Sequence, residues 1–274
     1  MNKSTITLTL GENAENHVGM QMIGDGLADR GYSLEDLQII QQKFEAAGIY
    51  TEIVELTPST EDVRADQAWI LIARDAAPTL LGSCAAYDSL WTELAGLEWD
   101  RKAFMYGRVV NKKARWNLIF DEIAQEPNYA EKRGRVVSHA QVPRLSQLRK
   151  LLGGPIDRVE ALKVEGNYYY NNPACGIGFH GDSERKKVVG IRMGESASLH
   201  YQWFLRKEPI GKRKVIELNG GDVYVMSEKA TGNDWKKSSI PTLRHAVGKM
   251  FTEIKPKRKA GQIVGKNKKI KLES

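Results

Sequence analysis

His180-Gly181-Asp182, followed well downstream by His245, brings together the residue types that hold a redox-active metal. Two imidazoles and one carboxylate are the facial ligand set of non-haem Fe(II) oxygenase sites, and zinc or manganese suits the same donors because geometry and availability select the ion. In an extended strand or its terminal bend, side chains two apart point the same way, so one ion can take both His180 and Asp182. The third ligand, His245, must then arrive on a strand brought alongside by the fold. Three protein ligands on one face leave the remaining positions to a co-substrate and to dioxygen. Each ligating imidazole also needs a partner on its other nitrogen, which the sequence does not identify.

The surroundings of these residues have a pattern of their own. Asn167-Tyr168-Tyr169 precedes the His-x-Asp pair, Val188 to Gly194 follows it, and Gly221-Asp222 introduces an apolar strand leading towards His245. Over residues 160–258 this order and spacing resembles the AlkB-like family of 2-oxoglutarate- and Fe(II)-dependent dioxygenases. The resemblance implies that His180, Asp182 and His245 bind Fe(II). It also implies that Asn167 and Tyr169, on one face of a strand, hydrogen-bond 2-oxoglutarate, which is converted to succinate and carbon dioxide as dioxygen is activated. The distal carboxylate of 2-oxoglutarate calls for a cation, ideally a bidentate Arg. Here the chain departs from the family, which has two arginines six apart beyond the distal His. Lys249, Lys255, Lys257 and Arg258 follow His245 instead, and Lys255 and Arg258 are the favoured anchors, with Arg192 a further candidate. Arg185, Tyr201 and Trp203 are candidates for the substrate mouth, Tyr201 and Trp203 because they alternate onto one face. Sandwich core is the competing role for that aromatic pair.

The elements that must position these groups fall into two styles. Thr5 to Leu10 alternates like a strand and stops at Gly11; Ser33 opens a capping box before a helical run that Gly48 closes. Ile53 to Leu56 and Ala68 to Ala73 read as short strands, Leu80 to Leu97 as a helix, and the glycines between 11 and 31 as loop, since they form no phosphate-binding motif. Residues 1–97 are therefore expected to be a small α/β unit, and 98–159 a connecting or lid region ending in a helix from Val142 to Leu152. From Ala161 the pattern is strand after strand: Ala161 to Tyr170, Lys187 to Met193, Ala197 to Leu205, Lys214 to Leu218, Asp222 to Met226 and Thr242 to Thr252. The expected class is α+β, with a double-stranded β-helix, or jelly roll, at 160–258 and a basic tail at 259–274.

Composition sets the remaining limits. The 274 residues carry a net charge of +7, and from Lys255 onward Glu273 is the one acidic side chain. Such a tail can neutralise phosphates, as can the basic and aromatic residues of Met105 to Phe120; a solvated terminus is the bland alternative. No apolar run approaches a membrane span, and the first residues lack the basic-then-apolar form of a secretory signal. Two cysteines, Cys84 and Cys175, make no disulfide framework or zinc site. A cytoplasmic enzyme that hydroxylates or demethylates a nucleic-acid base is the leading expectation. A protein or small-molecule hydroxylase on the same core, and a non-catalytic nucleic-acid-binding module, are the alternatives.

Overall fold

Every residue of the strand Thr5–Gly11 is buried, and its two faces differ: Ile6, Leu8 and Leu10 on one, Thr5, Thr7 and Thr9 on the other. A strand covered on both faces belongs in the middle of a sheet with layers above and below. The computed structural model, which describes residues 4–58 and 65–254, has that arrangement. In chain order the elements are β1 (Thr5–Gly11), β2 (Asn13–Glu15), β3 (Met22–Gly24), α1 (Leu34–Ala46), β4 (Thr51–Glu55), β5 (Trp69–Ala73), α2 (Ala76–Leu81), α3 (Cys84–Ala95), β6 (Lys102–Met105), β7 (Arg108–Asn111) and β8 (Trp116–Asp121). They continue with β9 (Val136–Ser138), α4 (Pro143–Leu152), β10 (Lys163–Tyr169), β11 (Ile177–His180), β12 (Val188–Gly194), β13 (Ala197–Leu205), β14 (Glu208–Leu218), β15 (Val223–Met226), α5 (Glu228–Thr231) and β16 (Thr242–Val247).

These make a mixed α+β structure in which strands dominate. One sheet has eight strands in the order β4-β5-β15-β12-β1-β10-β8-β9, and a second has four in the order β11-β16-β13-β14. Period-2 alternation sorts the large sheet's side chains. Ile6, Leu8 and Leu10, Val189 and Ile191, and Val223 join a cluster with the buried stripes of α1, α3 and α4. Tyr169, Val188, Tyr224 and Met226 point the other way and join Leu199, Tyr201, Trp203 and Leu243 of the small sheet. The molecule is thus layered helices, large sheet, small sheet, with a cavity between the sheets. Gly190 lets the Tyr224 ring lie against its backbone; a Cβ there would come within 1.9 Å of the ring.

The capping box forms as expected: Ser33 Oγ accepts from Asp36 N, and the Asp36 carboxylate from Ser33 N at 2.8 Å. Other expectations are corrected. The helix expected over Leu80 to Leu97 is two, broken at Gly82, whose φ of 82° ends α2 in a left-handed cap. The loop expected between Gly11 and Gly31 contains the β2–β3 hairpin. The last strand ends at Val247, where Gly248 at φ 96° turns the chain into a short 3-10 turn, Lys249–Phe251. The expected unit 1–97 is not separate: β1 lies between β10 and β12, and β5 pairs with β15, so its strands belong to the same sheet as the core. The expected connector 98–159 likewise contributes β8 and β9 to that sheet. Long-range pairing overrides the local α/β pattern here.

Because β1 hydrogen-bonds on both sides, a fragment starting at residue 98 would leave the edges of β10 and β12 unpaired. Such a fragment is expected not to fold, and a cooperative urea transition in it would contradict this. Cys84 is exposed and Cys175 buried, both free thiols. Among the described residues no helix is long and apolar enough to cross a membrane.

Candidate metal centre

β11 and β16 pair antiparallel with His180 opposite His245, which sets the two imidazoles side by side with ring centroids 4.5 Å apart. The chain leaves β11 at His180 and bends at Gly181, where a Cβ would come within 2.0 Å of the Gly232 carbonyl oxygen. The bend is pinned against the end of α5 by Asp182 N donating to Thr231 O at 3.0 Å. Asp182 therefore turns back towards both rings: its Oδ1 lies 3.7 Å from His180 Nε2 and 3.8 Å from His245 Nε2. One ligand atom from each residue falls within 4.8 Å of the others, the spacing of a shared ion.

The protonation states suit a metal. His180 Nδ1 is 2.8 Å from Gly178 O, which puts the proton on that nitrogen and leaves the Nε2 lone pair free. Burial holds both histidines below the ordinary value of 6.5, His245 down to about 4 with His180 adding repulsion. Burial works to raise Asp182, but His245, Arg185 and His180 outweigh it and keep the carboxyl below its usual range. At neutral pH the site is two neutral imidazoles and one carboxylate. The sign for stability follows: in the metal-free protein the unfolded chain takes up protons that the buried histidines refuse. Stability should fall as pH drops below about 6.5 and go on falling towards 4. Urea midpoints between pH 7 and 4.5 would check this, and a rise on acidification would contradict it.

Arg185, expected at a substrate mouth, is among the residues lining the cavity beside the triad but is only 3% exposed. It sits behind the ligand, with Nη1 3.5 Å from Asp182 Oδ2, Nη2 paired with Glu165 and Nε donating to Asn13 O at 2.8 Å. That position lets it orient the Asp182 carboxylate, and its charge lowers the carboxyl's pKa. Tyr201 and Trp203 do share a face, but it is the interior: they are 1% and 2% exposed, and Trp203 Nε1 donates to Leu56 O at 2.6 Å. The Tyr201 ring backs His245 at 5.9 Å between centroids. Neither aromatic reaches a mouth, because inward positions on β13 face the opposing sheet.

The triad opens into a cavity of about 830 Å³ between the sheets. Asn167 and Tyr169 line it, together with Thr7, Arg115, Glu165, Arg192 and Tyr224. Asn167 is already engaged: its Oδ1 accepts from Arg115 Nε and Asn117 Nδ2, each at 2.7 Å, and its Nδ2 donates to Glu165 Oε1 at 3.0 Å. Arg192 is fully buried on β12; Nη1 donates to Thr7 Oγ1 at 2.6 Å, while Nε and Nη2 have no partner among the described residues. Among the described residues it forms no ion pair. Lys255 and Arg258, the favoured anchors, lie outside the described residues.

No family model matches this sequence. It is 48% identical over 249 residues to Uncharacterized protein R156 of Acanthamoeba polyphaga mimivirus, a match spanning 90% of this chain and 96% of the viral one. The chain belongs to the family of that viral protein. Several cavity residues escape sequence reading. Glu165 is within its reach, since it precedes Asn167 and Tyr169 in the same alternation. Glu15, His17 and Leu27, from the β2–β3 region and just beyond it, also line the cavity, and nothing in their local pattern announces it.

Proposed function

We propose that this protein is an AlkB-like Fe(II)- and 2-oxoglutarate-dependent dioxygenase that hydroxylates or oxidatively demethylates a nucleic-acid base. The observation that carries the reading is that one cavity is lined both by the His180-Asp182-His245 triad and by Arg192, a buried arginine with two unpaired guanidinium nitrogens among the described residues. The donor set suits a divalent transition metal. A buried cation with two free donors suits a carboxylate, which would relieve both the charge and the missing hydrogen bonds. Held by the triad and Arg192, iron and 2-oxoglutarate would supply the chemistry of dioxygen activation coupled to oxidative decarboxylation of the keto acid.

The chain's own residues account for the rest. Gly178 O holds the His180 tautomer, Arg185 orients Asp182, Arg192 takes the distal carboxylate, and Tyr169 with the amide of Asn167 lines the space between. The jelly-roll reading is supported by strand order: β15-β12-β1-β10 and β11-β16-β13-β14 are two facing antiparallel sets of four. Seven of these strands run consecutively from β10 to β16, and the eighth, β1, comes from the start of the chain. That gives a reason for the missing arginines beyond His245: the slot between β12 and β10 is filled by β1, and the anchor moves to neighbouring Arg192, which pairs with Thr7 in register.

The test is incubation with Fe(II), ascorbate and 2-oxoglutarate, following succinate without added substrate. Mass spectrometry of nucleoside, peptide and metabolite pools then shows what gains oxygen or loses a methyl. Absence of succinate would overturn the enzyme reading; an oxidised peptide or metabolite with unaltered nucleosides would overturn the base.

A further inference from the structure

The back of the metal site is built from rings and cations. On β11 and β16 the ligands His180 and His245 face the cavity, so their neighbours Phe179 and Arg244 face out. There the Arg213 guanidinium lies 5.0 Å from the Phe179 ring centre, Phe179 is 5.8 Å from Phe204, and Arg244 stacks 4.3 Å from Phe204 and 5.3 Å from Trp235. Lys236 Nζ lies 5.9 Å from the Trp235 ring, and both residues line the cavity. The strip runs unbroken from the edge strand β14 to the metal cavity.

Around it stand Arg206, Lys207, Arg213, Lys236 and Lys237, all exposed. The two groups are tied together where Arg206 N donates to Ser238 O at 3.1 Å. Of the acids nearby, Asp234 is taken by Lys229 at 2.8 Å. Even with Glu208 and Glu217 of β14 set against them, the cations are in excess, and that surplus of positive charge calls for an anionic partner.

We propose that this outer face of the small sheet is the track for a single-stranded polynucleotide, whose backbone lies along the lysines and whose chain reaches the cavity past Trp235. The choice of partner follows from the strip's composition. An acidic protein would satisfy the lysines but leave the alternating rings and guanidinium planes without a role, whereas unpaired bases stack on such planes at any sequence. A duplex keeps its bases stacked inside, and a cavity between two sheets admits only a base that has left the stack. The proposal rests on the function above for what happens in the cavity, but not for binding.

Fluorescence anisotropy of a labelled mixed-sequence single-stranded oligonucleotide, over a salt series, tests it on the full chain. Lys207→Glu/Arg213→Glu should weaken binding roughly tenfold or more and flatten the slope of log K against log salt by about 0.7 for each phosphate left without its cation. Photocrosslinking with a bromouridine-containing strand should label Phe179 or Trp235, a readout that does not depend on any variant folding. Unchanged affinity and slope would overturn the track. So would a variant that loses polyglutamate binding and keeps the oligonucleotide, or binding that vanishes only when residues 255–274 are removed. Oligonucleotide binding along this face by a wild-type protein that makes no succinate would support the track and defeat the dioxygenase reading, so the two fail separately.

Discussion

Asp182→Ala should abolish metal binding and, with it, 2-oxoglutarate turnover, while leaving the fold standing. The carboxylate is the one charged ligand of the triad, and its Oδ1 lies within 4 Å of both imidazole Nε2 atoms. Removing a group that merely orients a ligand typically costs ten- to a hundred-fold in metal affinity, so removing a ligand should exceed about a hundred-fold. The usual objection is that deleting a buried charge strands its partner and unfolds the protein. Here Arg185 keeps its pairing with Glu165 and has Glu184 within 3.8 Å. The variant should therefore melt cooperatively near the wild-type temperature. Co(II) absorption and calorimetry give the affinity without catalysis, and Asp182→Asn gives the same comparison with the side-chain volume kept. Wild-type affinity in either variant would sink the assignment of the triad.

How far a sequence leads depends on which contacts are local. His180 and Asp182 are two apart, Asn167 and Tyr169 likewise, and the capping box at Ser33 spans one turn; each carries its geometry in its own spacing. His245 needs the pattern of the intervening strands, which is readable. The position of β1 is not, because an amphipathic strand near the start of a chain looks the same whether it founds a separate unit or slides between β10 and β12. Only the face of Thr5, Thr7 and Thr9, too small and polar for an ordinary core, hints at a cavity. The same blindness to distant pairing puts Arg185 at a mouth, since its partner Glu165 is 20 residues away. Alternation sets Tyr201 and Trp203 on one face correctly but says nothing of what covers that face, and the opposing sheet does.

Arg192→Met should weaken 2-oxoglutarate roughly ten- to a hundred-fold and should not lower stability. A hydrogen bond to a charged group contributes about 1.5 to 3 kcal/mol, which converts to that range of affinity. The stability half follows from burial. Among the described residues the guanidinium is 0% exposed, bonded to Thr7 alone, with two nitrogens unpartnered. A buried charge without a counter-ion costs free energy, and Met fills much of the same volume without one. Affinity and melting temperature should therefore move in opposite directions, which mere damage to the core would not produce. Calorimetric titration of the Mn(II)-loaded protein reads the first and a thermal melt the second. Pyruvate, a keto acid without the distal carboxylate, should bind the variant no more weakly than it binds the wild type. Should 2-oxoglutarate bind the variant as tightly as before, the carboxylate is held elsewhere, and Lys255 and Arg258 become the residues to replace.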